Sequence, residues 1–206
     1  MAALVQQQYD RLAAIYDQRW QFYIHHTLTF LVEWVALAPG DRVLDVACGT
    51  GELERRLGDR QPHQSIVGVD FAPAMLAIAR QKCADLPTVQ FQQASAAALP
   101  WRTPQFDSVL CANAFHYFDD PAIALAEMRR VLHPHGKVVI LDWCRDFFVC
   151  RLCDWVLGWL DPAHQRCYTE AELHALLTAG GYRVGRSQRV RFGLLWGLMA
   201  VEAELA

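Results

Sequence analysis

Arg42-Val43-Leu44-Asp45-Val46-Ala47-Cys48-Gly49-Thr50-Gly51-Glu52-Leu53-Glu54-Arg55-Arg56-Leu57 is the stretch around which the other segments are most easily placed. Val43, Leu44 and Val46 make a short apolar run that fits a buried strand, and small residues with glycine at 49 and 51 break it. From Glu52 the composition turns to good helix formers. Leu53 and Leu57 fall on one helical face, and two acids sit in the first turn, where the helix dipole favours them. Strand, tight turn and helix form the first half of a βαβ unit, whose ligand crevice lies at the strand's carboxyl end.

The residues in the turn discriminate between ligands. A dinucleotide fingerprint, G-x-G-x-x-G, wants a third glycine for close helix packing, and counting from Gly49 that place is held by Glu54. Asp45 would face the pyrophosphate that such a turn cradles at the helix N-terminus, so it suits a cation better. S-adenosyl-L-methionine is such a ligand, with an ammonium, a sulfonium and no phosphate. Ser65-Ile66-Val67-Gly68-Val69-Asp70 reads as a second strand. It ends in a carboxylate about 20 residues beyond the turn, the distance at which an acid accepts from both ribose hydroxyls.

On these residues the chain resembles the class I S-adenosylmethionine-dependent methyltransferases, in particular the ubiquinone/menaquinone-biosynthesis-like small-molecule group. The family's D-x-G-x-G-x-G stands as Asp45-Val-Ala47-Cys48-Gly49-Thr50-Gly51, with alanine for the first glycine. That departure reads as mild, since alanine tolerates most turn geometries short of a left-handed one. The resemblance continues through Asp70-Phe71-Ala-Pro-Ala-Met75, Ala94-Ser95-Ala96, Phe106-Asp107-Ser-Val-Leu and Arg129 to Gly136, covering roughly residues 9 to 183.

It implies an α/β fold: a Rossmann-like doubly wound seven-stranded sheet, mostly parallel, with an antiparallel C-terminal hairpin. The expected organisation is a single methyltransferase domain over 1–206, with an N-terminal helical segment at 1–38 and a small helical cap inserted at 144–168. For the cofactor it implies Asp45 at the methionine ammonium and Asp70 at the ribose. Tyr16 and Met75 would lie against the ligand, Phe71 beside it, and Ser95 with Ala96 at the adenine, where many relatives carry an acid.

Composition agrees with a globular chain. Of 206 residues, 53% are apolar and 20% charged, and the formal net charge is −3 with no basic stripe, which argues against a nucleic-acid partner. The first residues lack a basic segment followed by a long apolar one, and the longest apolar stretch, Phe192 to Val201, is too short to span a bilayer. A cytoplasmic protein is expected, with no integral membrane segment; its oligomeric state is not written in the sequence. The 7 cysteines are odd in number and several fall inside predicted strands or helices, which suits reduced thiols.

Along the chain, helical patterns surround Tyr9, Leu12, Ala13 and Tyr16 and then run from Leu28 to Val35. Thr88 to Ala94 alternates as a third strand and Phe106 to Ala112 reads as a fourth. The loop that follows, Asn113-Ala-Phe-His116-Tyr117, faces the reacting end of the crevice, so Asn113 and His116 are placed to meet cofactor and substrate. His116 could accept a proton as the methyl moves, or could simply cap its loop. Pro121 opens a helix closed by His133-Pro134-His135-Gly136, and Lys137 to Trp143 is the fifth strand. Tyr23, His116, Trp143 and Tyr168 are the candidates for the acceptor side.

Cys150-x-x-Cys153 and His164-x-x-Cys167 have near zinc-site spacing. The apolar run from Trp155 to Leu160 instead favours buried thiols and no metal. Arg183, Arg186, Arg189 and Arg191 read as a solvated face. The partner is expected to be a small, lipophilic or aromatic acceptor. Two other readings stay open: a non-catalytic S-adenosylmethionine-binding module, and an NAD(P)-binding oxidoreductase.

Overall fold

The computed structural model describes residues 2–160, 165–193 and 196–206. Two helices, α1 (Ala2–Arg19) and α2 (Gln21–Trp34), precede the first strand, β1 (Arg42–Val46). Helices and strands then alternate as α3 (Glu52–Arg60), β2 (Ser65–Asp70), α4 (Pro73–Lys82) and β3 (Val89–Gln93). The second half runs β4 (Phe106–Ala112), a 3-10 turn at Phe115–Tyr117, α5 (Pro121–Val131), β5 (Leu132–Trp143), α6 (Phe148–Leu160), α7 (Glu170–Ala179), β6 (Tyr182–Phe192) and β7 (Trp196–Leu205).

The strands form one sheet in the order β3-β2-β1-β4-β5-β7-β6, parallel through β5 with β7 antiparallel to both neighbours. The chain winds outward one way from β1 and the other way from β4, so their carboxyl ends frame the switch-point crevice. β1 is buried on both faces, which explains its unbroken apolar run. Val43 packs with Leu31, Leu53 and Leu141 on the α2–α3 side, and Leu44 with Leu125, Met128 and Leu173 on the α5–α7 side. Helix starts follow local chemistry: Asp120 accepts from the amides of Ala122 and Ile123 ahead of Pro121, and Thr169 with Glu172 forms a capping box.

Four details depart from the sequence reading. α2 begins at Gln21, well before Leu28, because Tyr23, Ile24, Thr27 and Leu28 already supply its buried face while His25 and His26 point away. β5 begins at Leu132 rather than Lys137: Leu132 pairs with Phe106, the register then jumps to Lys137 opposite Ser108, and Pro134 lies in the residues bulged out between. The arginines of β6 are exposed but engaged. Arg183 pairs with Glu204 at 2.9 Å, Arg189 lies 3.4 Å from Glu170, and Arg186 stacks on Trp34 with its guanidinium carbon 3.9 Å from the ring centroid.

The fourth is Ala47, whose φ of 64° is left-handed, so the departure from glycine is not mild in backbone terms. A side chain in that region costs about 1–2 kcal/mol. Gly51 is also left-handed, and a Cβ there would meet Ala79 at 2.9 Å and Phe91 at 3.0 Å. Ala47→Gly should therefore raise the stability by roughly 0.5–1 kcal/mol after the entropic penalty of glycine. Gly51→Ala should lower it by about 2–4 kcal/mol, strain and overpacking together. Urea denaturation of both variants against the parent checks the opposite signs.

Candidate active site

The turn after β1 is built from left-handed residues at 47, 49 and 51, which coil it tightly over the end of β2. Cys48 N donates to Val69 O at 3.0 Å, and Gly49 N donates to Asp70 Oδ2 at 2.9 Å. The other oxygen of Asp70 accepts from Ala72 N, also at 2.9 Å. One carboxylate thus fastens the turn after β1 to the turn after β2.

Behind this junction opens a cavity of about 710 Å³. Its walls include Asp45, Ala47, Cys48, Gly49 and Thr50 from the first turn, Asp70, Phe71 and Met75 from the second, and Ser95 and Ala96 after β3. Asn113, Tyr117 and Phe118 close the β4 side, and Tyr9 and Tyr16 of α1 lie across it.

The electrostatics are acidic. Asp45 is buried, and its Oδ1 has no hydrogen-bond partner. Burial, then the neighbouring Glu54 carboxyl, push its pKa well above the usual carboxylate range. Glu54 is also buried, beside Asp45 so that a proton on one carboxyl is shared with the other, and lies against Gly68, the residue opposite Asp45 on β2. Desolvation pushes it up to about 8. Burial also raises Asp70, opposed by the amides that bond it. Burial and their mutual proximity therefore favour the protonated forms of Asp45 and Glu54, while the amides bonded to Asp70 favour its charged form. An orphaned carboxyl oxygen in the cavity wall fits the ammonium of S-adenosylmethionine and would repel a pyrophosphate.

α1 is pinned over the cavity at two points. Asp10 accepts from Ala74 N at 3.1 Å, at the start of α4, and Asp17 accepts from Thr50 Oγ1 and Lys82 Nζ, each at 2.6 Å. Lys82 also reaches Glu52 at 3.0 Å, so one ammonium ties α1, α3 and α4 together.

After β4, Asn113 is left-handed at φ 58°. Its side chain accepts from Tyr23 OH at 2.7 Å and donates to Thr27 Oγ1 at 3.1 Å, while Trp143 Nε1 donates to Tyr23 OH at 2.6 Å. The 3-10 turn, with three residues per revolution, then sends consecutive side chains in three directions. Phe115 goes to the core, His116 to Asp142, and Tyr117 to the cavity, where it meets Tyr9 edge-on at 5.7 Å. Asp142 Oδ2 accepts from His116 N at 2.8 Å, and Oδ1 lies 2.6 Å from His116 Nδ1.

Of the residues expected at the cofactor, the structure brings Tyr16, Asp45, Ala47, Cys48, Gly49, Thr50, Asp70, Phe71, Met75, Ser95, Ala96 and Asn113 to one cavity. Gly51 lies behind it, against Ala79. Tyr23, His116, Trp143 and Tyr168 do not line it. The first three form a layer behind Asn113, with His116 stacked on Trp143 at 5.6 Å, and Tyr168 packs on Phe115. Sequence reading passed over Tyr117, which only the turn type singles out. Of the proposed zinc ligands, His164 lies outside the described residues. Cys150 and Cys167 are buried, and Cys153 is half-buried. Among the described residues no cluster of histidines, thiols and acids is arranged to hold a metal.

Comparison with known proteins gives consistent matches. A methyltransferase domain family matches residues 44–140. A 2-phytyl-1,4-naphtoquinone methyltransferase of Thermosynechococcus vestitus is 33% identical over 222 aligned positions, covering 96% of both chains. A demethylmenaquinone methyltransferase of Deinococcus radiodurans is 47% identical over 103, covering 50% of this chain and 43% of its own. Among solved structures, a methyltransferase in complex with the Haloferax volcanii Trm112 methyltransferase activator superposes with a TM-score of 0.84 at 20% identity. That match covers 96% of this chain and 98% of that one.

The raised acid has a measurable consequence. Glu54 takes up a proton on folding between the ordinary glutamate value of 4.5 and about 8, so its contribution favours the folded state below that window and is lost as pH rises through it. Glu54→Gln should be close to the parent in thermal stability at pH 5 and more stable at pH 8.5. Each pKa unit is worth about 1.4 kcal/mol. Parallel pH series of Tm without added ligand test this, and equal slopes would refute it.

Proposed function

The chain belongs to the class I S-adenosylmethionine-dependent methyltransferases, in their ubiquinone/menaquinone-biosynthesis-like group, and from that premise we propose that its acceptor is a reduced quinone carrying a lipophilic chain. Support for the acceptor comes from the relative matched along its whole length, which methylates a phytyl naphthoquinone by name, and from the largely apolar, aromatic β4 and α1 side of the cavity. The observation that carries the cofactor assignment is the buried Asp45 in the cavity wall, paired only with a second carboxyl, with no amide, hydroxyl or cation of the protein donating to its Oδ1.

The residues divide the work as follows. Asp45 binds the methionine ammonium, Asp70 the ribose hydroxyls, and Met75, Ser95 and Ala96 the adenine. Ala47, Cys48, Gly49 and Thr50 shape the turn against the ligand, with Gly51 giving the close helix approach, while Tyr16 and Phe71 cover it. The cofactor supplies a methyl group on a sulfonium whose thioether leaves without acid assistance. The protein's part is in-line positioning and exclusion of water, which can lower a barrier by roughly 7–11 kcal/mol.

Asn113 and Tyr117 face the acceptor. Tyr23, which donates to Asn113 and accepts from Trp143, holds Asn113 in its left-handed conformation, while Tyr168 packs on Phe115. We assign His116, fixed at two points by Asp142, to holding the loop in register, since Tyr117 and not His116 reaches the cavity. A general base at His116 would instead give a pH-rate profile that loses its acidic limb in His116→Gln, whereas a positioning role lowers kcat at every pH.

The reading predicts S-adenosylhomocysteine formation with a chain-bearing demethylnaphthoquinol and none with histamine or a nucleic acid; inactivity on every quinol would refute it. Asp45→Asn should weaken donor binding about 10- to 100-fold, the loss of one charge-assisted hydrogen bond. Donor binding by the parent at pH 7 should release protons, because the ammonium favours the charged carboxylate. Calorimetry in two buffers of different ionisation enthalpy reads both effects.

A further inference from the structure

α6 presents an apolar stripe to solvent. Phe148, Leu152, Trp155 and Trp159, spaced four, three and four residues apart, are 75, 51, 66 and 81% exposed and share one helical face. The opposite face anchors the helix: Cys150 is buried, and Asp154 accepts from Cys167 N at 2.6 Å and lies 3.8 Å from Arg145. The helix is therefore held on one side by its thiols and its single acid and open on the other. A solvent-facing stripe with two tryptophans is not a feature of an ordinary surface helix.

We propose that this face of α6 docks on the surface of an anionic lipid bilayer, from which the lipophilic acceptor enters. The second half of that statement rests on the quinone reading above; the docking does not. Three features point to lipid. The exposed aromatic residues of the stripe, Phe148, Trp155 and Trp159, are of the types that interfacial helices carry on their apolar face. The stripe carries no hydrogen-bonding side chain other than the indoles. Of the two charged residues on α6, the acid is turned inward and Arg151 is exposed beside the stripe, so the outward charge complements anionic headgroups.

The helix also connects to the cavity. Beyond it, Arg166 N donates to His116 O at 3.4 Å and Gln165 Nε2 to Asp119 Oδ1 at 3.0 Å, and Asp119 is part of the cavity wall. A bilayer contact made by α6 thus lies one segment away from the loop that borders the acceptor side. Among the described residues no helix is long and apolar enough to cross a membrane, so the contact is interfacial.

The test is flotation of the full chain with vesicles of phosphatidylcholine containing a minority of phosphatidylglycerol, read together with tryptophan emission. The parent should float with the vesicles and its emission should shift to the blue. The double variant Trp155→Ser with Trp159→Ser, both changes at exposed positions, should partition about tenfold less while keeping the parent's circular dichroism and donor affinity. Failure of the parent to float overturns the proposal, and so does undiminished flotation of the double variant. A parent dimer that the variant dissociates, without vesicle binding, would assign the stripe to a second copy of the chain and equally overturn it. Methyl transfer to a short-chain quinol in solution is read separately. Its absence would defeat the quinone assignment and leave the flotation result standing, and its presence without flotation would do the reverse.

Discussion

Two backbone amides on one carboxylate hold the site together. Gly49 N and Ala72 N both donate to Asp70, so the turn after β1 and the turn after β2 cannot move independently. These bonds are made in a nearly dry environment, where an unbonded carboxylate would be costly and a doubly bonded one is an effective clamp. The left-handed residues at 47, 49 and 51 follow from it: only a tightly coiled turn carries Gly49 N back over the end of β2 and still feeds α3 against Ala79 and Phe91. The strained alanine at 47 is tolerated because the neighbouring bonds over-determine the turn.

The same clamp fixes the sign of the cavity. With Asp70 at its mouth and Asp45 and Glu54 buried beside it, the turn gathers carboxyls that have no basic partner, since the nearest ammonium, Lys82, is engaged by Asp17 and Glu52. A P-loop or dinucleotide turn places bare amides and a helix N-terminus toward phosphate. Here the helix N-terminus carries Glu52 and Glu54, and the amide of Gly49 is already spent on Asp70. What remains for a ligand is acceptor capacity, which selects ammonium, sulfonium and hydroxyl donors. Lys82 adds a mechanical role, because the bonds through Asp17 hold α1 across the opening and keep Tyr9 and Tyr16 over it.

Much of this was legible in the sequence because local chemistry and tertiary role agree there. The apolar run ending in Asp45, the glycine spacing and the acid at 70 each specify a strand end or a turn without help from distant residues. The mostly parallel seven-stranded sheet with its C-terminal hairpin followed from the family resemblance that those motifs carry. The misses are places where tertiary contact overrides the local signal. Aromatic and histidine residues obscured the start of α2, whose buried face is defined by packing on α3, α1 and β6. The bulge from Leu132 to Lys137 depends on the register of β4, which no pattern within β5 encodes. The layer of Tyr23, Trp143 and His116 behind Asn113 looked like a substrate wall because aromatic residues at strand ends often are one. In the structure these residues lie behind Asn113 and outside the cavity lining, and the pairing of His116 with Asp142 is set by residues 26 apart in sequence.

The 3-10 turn at Phe115–Tyr117 explains how these regions act together. Its three side chains are committed to different neighbours: one to the hydrophobic core, one to the buried acid at the end of β5, and one to the cavity. Its carbonyl at His116 also receives Arg166 N from the segment that follows α6. A turn of this kind has little freedom to shift one side chain without displacing the others, because its backbone geometry sets all three directions at once. The cap is therefore not a separate decoration on the sheet. The position of Tyr117 in the cavity is coupled through two residues of backbone to Asp142 in β5 and, through Arg166, to the segment leading out of α6. The Tyr117 side of the cavity is thus tied to the sheet through Asp142 and to Arg166 through the His116 carbonyl.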